Sequence, residues 1–157
     1  MNRSVNCKTM NNEEVKSFIT SILPEALFEE TGEFLNVETS VAGFRGLITS
    51  LNKQGFDYLF CVTCIDWKTH LTMVYFLSST SDRNSIVLKV KLDRTNPVIE
   101  SVSDAWRTAE FQEREVFELF GVNFSNHPDQ RKLILTDDFV GYPLRKDFED
   151  PVNMIKL

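Results

Sequence analysis

The side chains of this sequence whose types and spacing could do chemistry are few: Cys61 and Cys64, His70 and His127, and the acids Glu110, Glu113, Glu115 and Glu118. Cys61-Val62-Thr63-Cys64 has the spacing of a dithiol oxidoreductase, in which the motif opens a helix and the helix dipole favours the thiolate. Here it lies inside an apolar run, 58–66. Residues three apart on a strand point to opposite faces, and thiols so placed share neither a disulfide nor a metal. Both read as core cysteines, and a small thiol oxidoreductase is the competing class. No second Cys-x-x-Cys completes the four ligands of an iron–sulfur cluster, and no Gly-x-Gly-x-x-Gly or Walker sequence offers a phosphate cradle. Glu113 and Glu115 form a carboxylate pair of the kind used in acid–base catalysis, but no nucleophile stands near them in sequence. His127 precedes Pro128, which biases it towards extended or turn backbone. It reads as a turn histidine with local hydrogen bonds, since His70 is the only other histidine.

The elements that must position these groups follow from periodicity. Val15, Phe18, Ile19, Ile22 and Leu23 have helical spacing, with Asn11 or Asn12 as cap and Glu13 and Glu14 in the first turn. Residues before about Asn11 are polar. Pro24 ends this helix or begins a continuation through Leu27 and Phe28. Gly32 punctuates, and 33–39 reads as a short strand. Ser40 caps a second helix, with Phe44, Leu47, Ile48 and Leu51 on its buried side and Gly55 at its C-terminal glycine position. Three strands follow. The nearly all-apolar run 58–66 reads as a central strand covered on both faces. A strand over 72–78 comes after a turn at 68–70, and 85–92 alternates cleanly. Asn96-Pro97 breaks the run. Ser103 or Asp104 caps a last helix, which ends at Phe120 and Gly121. Helix, strand, helix, three strands, helix is an α+β order, whose natural solution is a mainly antiparallel sheet with helices packed on it.

On the last helix Trp106, Ala109, Glu113, Val116, Phe117 and Phe120 fall on one stripe. Acids are seldom fully buried unless paired, so Glu113 is expected to meet a cation, with Arg131, Lys132, Arg145 and Lys146 as candidates. The alternative is a carboxylate at the edge of a solvated charge run, the reading preferred for Glu110, Glu115 and Glu118. From 122 to 157 the chain has prolines at 128, 143 and 151 and no sustained period, yet it holds Phe124, Leu133, Ile134, Leu135, Phe139, Leu144 and Phe148. That is too apolar for simple disorder, and structureless stretches beyond about 15 residues are uncommon inside compact domains. A long extended C-terminal tail lying on a surface, its own or a partner's, reconciles the two. The organisation is an α+β domain over 1–121 and an extended docking tail over 122–157.

The 157 residues are 42% hydrophobic and 25% charged, an ordinary globular balance of a length that suits one domain. A net charge of -6 argues against nucleic-acid binding, which needs concentrated Lys and Arg, and against a polybasic membrane anchor. No apolar run approaches the about 20 residues of a spanning helix, and the first residues lack the apolar region of a secretory signal. A cytosolic setting is the expectation, with the three cysteines as reduced thiols.

Two stretches carry a family resemblance. Glu113, Arg114, Glu115, Glu118, Leu119, Phe120 and Gly121 match a Glu-Arg-Glu, acid, Met or Leu, Phe, Gly pattern, followed by His127, Pro128, Asp129 and Arg131. Gly141, Pro143, Arg145, Lys146 and Asp147 match a Gly-His-Pro-x-Arg-Lys-Asp element. Together they resemble the thirty-kilodalton subunit of NADH:quinone oxidoreductase, respiratory complex I. The departures are Phe117 for Tyr or Trp, Glu118 for Asp and Tyr142 for His. The resemblance is strong over 101–148 and weaker before it. It implies a non-redox scaffold subunit of the peripheral arm of a proton-translocating NADH:quinone oxidoreductase, without catalytic residues, cofactor or metal of its own. FMN, iron–sulfur clusters and quinone belong to the parent complex. The implied partners are the quinone-site (forty-nine-kilodalton-like) subunit and other peripheral-arm subunits, and the motif residues just named, apart from Glu118 and Leu119, are the expected interface. The implied location is the cytoplasmic face of the bacterial inner membrane, peripheral, without direct membrane insertion. Because the chain ends soon after the motif, the stand-alone form is expected, not the form fused to the quinone-site subunit. Subunits of membrane-bound energy-converting hydrogenases, and of quinone reductases fed by ferredoxin, look similar here and form the alternative.

Overall fold

The first helix begins where Asn11 can satisfy it. In the computed structural model, which describes residues 11–31 and 34–150, the Asn11 side chain accepts the Glu14 N–H while the Glu14 carboxylate accepts the Asn11 N–H. This reciprocal cap starts α1 (Asn12–Ile22), which buries Val15 and Ile19. The second helix, α2 (Val41–Gln54), is capped by Ser40 and ends at Gly55 with φ 107°, the left-handed backbone that favours glycine. Phe44, Leu47, Ile48 and Leu51 form its buried stripe.

Five strands, β1 (Leu27–Thr31), β2 (Phe34–Thr39), β3 (Tyr58–Asp66), β4 (His70–Ser78) and β5 (Ser85–Asp93), make a sheet of order β1-β2-β5-β4-β3. Every pairing is antiparallel except β2 with β5, which is parallel. Register puts Leu35 beside Ile86, Val37 beside Leu88, and Leu88 beside Tyr75. These side chains share the face that meets the helices, where the Phe44 and Tyr75 rings lie 4.9 Å apart. Each of the aliphatic side chains among them, fully buried, contributes about 1.5–3 kcal/mol relative to exposure.

The structure thus confirms the mainly antiparallel α+β architecture with helices packed on the sheet. Four details differ from expectation. Residues 27–31 are a strand, not a helical continuation, because they pair antiparallel with β2. The apolar run 58–66 is an edge strand, not a central one: Tyr58, Phe60 and Ile65 are exposed, and only alternate residues face the core. The third helix, α3 (Ala109–Phe120), starts five residues after Asp104. Asp104 is held instead by Arg45, and Thr108 at the helix start turns its hydroxyl to the Leu59 carbonyl. Two three-residue strands, β6 (Val98–Glu100) and β7 (Asn123–Ser125), form a small parallel pair. They are too short to show a period. The readings at residues before Asn11, at Gly32 and at Cys7 lie outside the described residues.

The position of α3 explains how an edge strand is tolerated. An open edge presents unpaired backbone groups that template aggregation. Here the Gln112 side chain accepts the Val62 N–H, Thr108 donates to Leu59, and the Trp106 indole N–H donates to the Phe56 carbonyl at 3.0 Å. The helix that carries the motif is thereby fixed against the sheet edge.

Candidate functional site

The two motif stretches meet at Gly121. It ends α3 with φ 73°, and a Cβ built there would lie 2.5 Å from the Tyr142 ring. Glycine is required on both counts, for the backbone angle and for the approach of the tail. Beyond it the chain forms β7, reverses at Asn126 (φ 63°) and enters the His127-Pro128 turn.

His127 and Glu113 sit inside this reversal with both side chains fully buried, 3.8 Å apart. The Asp129 N–H donates to His127 Nδ1, which places the ring proton on Nε2, 3.0 Å from the Glu110 carbonyl oxygen. The local bonding expected of a turn histidine is present. Glu113 is buried as its stripe position demanded, but none of the four tail cations meets it. It accepts the Ser101 hydroxyl at 2.6 Å and the Val102 N–H at 2.8 Å. Burial pushes its carboxyl up to about 7, against the pull of those two donors.

The remaining motif residues fasten the tail to α3 and the sheet. Arg114 donates to the carbonyls of Arg131 and Lys132, both at 2.9 Å. Asp129 and Arg131 form a two-point pair, and the Arg131 guanidinium holds the Asp129 carboxyl below its usual range. Glu118, only 2% exposed, is not the solvated acid expected from its sequence. Its carboxylate collects the successive N–H groups of Leu133, Ile134 and Leu135 at 2.9–3.1 Å. Lys132 makes the opposite contact, donating to the carbonyls of Thr136, Asp137 and Phe139 at 3.1, 3.0 and 2.8 Å.

Past this loop Gly141 adopts φ 96° under the Phe148 ring, where a Cβ would stand 2.9 Å from it. Leu144 N–H then donates to Leu119, Arg145 donates to the Phe120 carbonyl at 2.6 Å, and the Arg145 guanidinium lies 4.6 Å over the Tyr142 ring. The tail at Lys146 and Asp147 is locked by an acid that sequence reasoning overlooked. Asp66, at the end of β3, accepts a two-point bond from Arg94 and the backbone N–H groups of Lys68 and Lys146. The Arg94 guanidinium foremost keeps its carboxyl well below the usual range, and Arg94 also holds Asp147 at 2.5 Å. A lone acid closing an apolar strand was the available signal.

Of the named motif residues, Glu113, Arg114, Gly121, His127, Asp129, Arg131, Gly141, Arg145, Lys146 and Asp147 are thus gathered along one seam. Phe120 is buried beside it, Pro128 and Pro143 shape its turns, and Glu115 is exposed. Cys61 is half-buried and Cys64 buried, both as free thiols. Burial raises both, Cys64 up to about 12, so neither resembles an activated thiolate. Among the described residues no group of three or more His, Cys, Asp or Glu is placed to hold a metal, and no helix is long and apolar enough to cross a membrane.

Comparison with known proteins matches residues 37–152 to the family model of the respiratory-chain NADH dehydrogenase 30 Kd subunit. The NADH-quinone oxidoreductase C/D protein of Phocaeicola vulgatus is 45% identical over 109 residues, which is 67% of this chain and 21% of that protein. A NADH-quinone oxidoreductase subunit of Moorella thermoacetica is 45% identical over 105 residues, covering 65% of this chain and 71% of that one. The chain therefore spans about a fifth of the C/D relative. Among solved structures, the trypsin-resistant fragment (1-134) of Nqo5 superposes with a TM-score of 0.70 at 27% identity, covering 76% of this chain and 99% of that one. A chain of the membrane-bound sulfane sulfur reductase, an archaeal respiratory membrane complex, superposes with a TM-score of 0.77 at 25% identity, covering 87% and 85%.

Proposed function

The chain belongs to the respiratory-chain NADH dehydrogenase 30 Kd subunit family, and from that premise we propose that it is a non-redox scaffold subunit of the peripheral arm of an NADH:quinone oxidoreductase, docking beside the quinone-site subunit. The observation that carries this reading is the division of labour along the seam. Arg114, Glu118, Asp129, Arg145 and Asp147 direct their hydrogen bonds inward, to backbone or side chains of this chain. Ile134, Val140, Tyr142 and Leu144 are left exposed on the outside. A polar lattice that fixes apolar side chains facing out is what a docking surface requires, since exposed apolar patches mark interaction sites. The C/D relatives, whose name joins two subunits in one polypeptide, support the quinone-site subunit as the neighbour. FMN, iron–sulfur clusters and quinone then belong to the parent complex, and this chain is held peripherally on the cytoplasmic face of the membrane.

A second reading has its own support. The likeness to a chain of the sulfane sulfur reductase favours the equivalent subunit of another respiratory membrane complex, such as a membrane-bound hydrogenase or a ferredoxin-fed quinone reductase. Purifying the native complex through a tag on this chain separates the two. Co-purifying flavin and NADH-oxidising subunits support the first reading, and a nickel-bearing or ferredoxin-linked set supports the second. A tagged chain that purifies alone from intact membranes refutes both.

A further inference from the structure

We propose that the loop over 132–142 is a preformed apolar socket that receives large uncharged side chains from the quinone-site subunit. The inference rests on the docking reading above and assigns the point of contact.

Phe117 of α3 and Phe139, Val140 and Tyr142 of the loop line a depression of about 330 Å³, together with Glu118 and Lys132. That volume falls in the range of about 300–1,000 Å³ typical of binding pockets. Charge matching selects the occupant. An ammonium has three donors, and all three of Lys132 are given to the carbonyls of Thr136, Asp137 and Phe139. The Glu118 carboxylate is held by three consecutive backbone N–H groups. A charged partner group would lose its water here and find both charged residues of the lining already committed, at a cost of several kcal/mol, with only the Tyr142 hydroxyl left to meet a polar atom. An aromatic or branched aliphatic side chain meets four apolar walls.

The socket also requires little ordering on binding. Glu118 and Lys132 clamp the loop from its two backbone polarities. Phe139 stacks on Phe148 at 5.9 Å, and Gly141 is fixed beneath the same ring. Preorganisation of this kind raises affinity by removing the entropy lost when a loop is ordered. Val140 stands at the rim, 87% exposed. It is therefore open to a partner seated on the socket.

The test uses the full chain and the purified quinone-site subunit of the same organism, with binding followed by biolayer interferometry. Val140→Asp places a charge at the rim without disturbing the fold, because Val140 packs on so little. Phe60→Asp, at a 67% exposed aromatic on β3, controls for added surface charge. The expected result is binding weakened about 30-fold or more by Val140→Asp, the scale of an interface hot spot, and changed less than about threefold by Phe60→Asp. Normal binding of Val140→Asp overturns the socket while leaving the docking reading intact. Equal losses in both variants also overturn it. A wild-type chain that does not bind that subunit overturns the docking reading itself.

Discussion

Replacing Glu113 by glutamine isolates the effect of one buried charge, because the two side chains are nearly isosteric and only one can ionise. The surroundings permit the exchange. The glutamine carbonyl can accept the Val102 N–H while its amide donates to Ser101, whose hydroxyl turns to Ser103 2.8 Å away. The charged and titratable groups facing this position are Arg45 from α2, Asp104 from the turn before α3, Tyr75 from β4 and His127 from the tail. The carboxyl moves from 4.5 to about 7 on folding. A raised folded value means the fold gains from the bound proton below 4.5 and loses that gain as pH rises through about 7. The whole effect is about 3 kcal/mol, at 1.36 kcal/mol for each unit. Of this, about 2.5 kcal/mol falls between pH 5 and pH 8. Urea unfolding of both proteins across that interval should show the stability difference shifting towards Glu113→Gln by about this amount, or about 5–10 °C in Tm for a chain of this size. Taking the difference cancels the titrating groups that do not interact with Glu113. A difference that stays flat from pH 5 to pH 8 would show that Glu113 is hydrated or paired in solution, and the reasoning would fail.

Three further outcomes follow from the same contacts. Asp66→Asn removes the charge facing Arg94 and should lower stability by about 3 kcal/mol, the scale of a broken buried pair. Because the Asp66 carboxyl is held below its unfolded value of 3.8, that loss should be constant from pH 5 to pH 8, and a loss that fades within this range would contradict the assignment. Glu118→Gln offers one acceptor and two donors to three N–H groups, so amide exchange at 133–135 should quicken at least tenfold, a change of about 1.4 kcal/mol in opening free energy; unchanged protection would show the clamp to be unimportant. Cys64, with its thiol near 12, is ionised only to about one part in ten thousand at pH 8, so peptide mapping after iodoacetamide treatment should find it unmodified long after a free model thiol is consumed, whereas rapid labelling at neutral pH would revive a redox role.

The parts of the fold that were legible share a local cause. Asn11, Ser40 and Gly55 mark helix ends because capping is decided within four residues, and the alternation of 85–92 announced β5 in the same way. The 58–66 strand was misplaced because its outward side chains, Tyr58 and Phe60, are as apolar as a second core would be, and they cluster edge-to-face with Phe76 on the surface. Leu27–Thr31 could not be recognised without knowing that β2 lies beside it. The site divides likewise. Ten of the motif residues lie along the seam, but Glu118 looked solvated because its partners are backbone N–H groups 15–17 positions away. Asp66 is 80 positions from Lys146, its partner in the tail. Such non-local polar contacts leave no periodic trace.

The single parallel pairing in the sheet has a consequence during synthesis. Leu35 must align with Ile86, so β2 leaves the ribosome about fifty residues before its partner. At about 5–20 residues per second this is an interval of roughly 3–10 s. For that time the β2 edge of the β1–β2 pair, later covered by β5, is unsatisfied, while β3, β4 and β5 can zip together as neighbours as soon as they emerge. Closing the β2–β5 ladder is the long-range step, and loop-closure entropy makes such steps slow. The nascent chain is therefore most exposed to misassociation just before the β5 strand is complete. A chaperone that binds extended apolar segments would be expected to hold 34–39 at that moment.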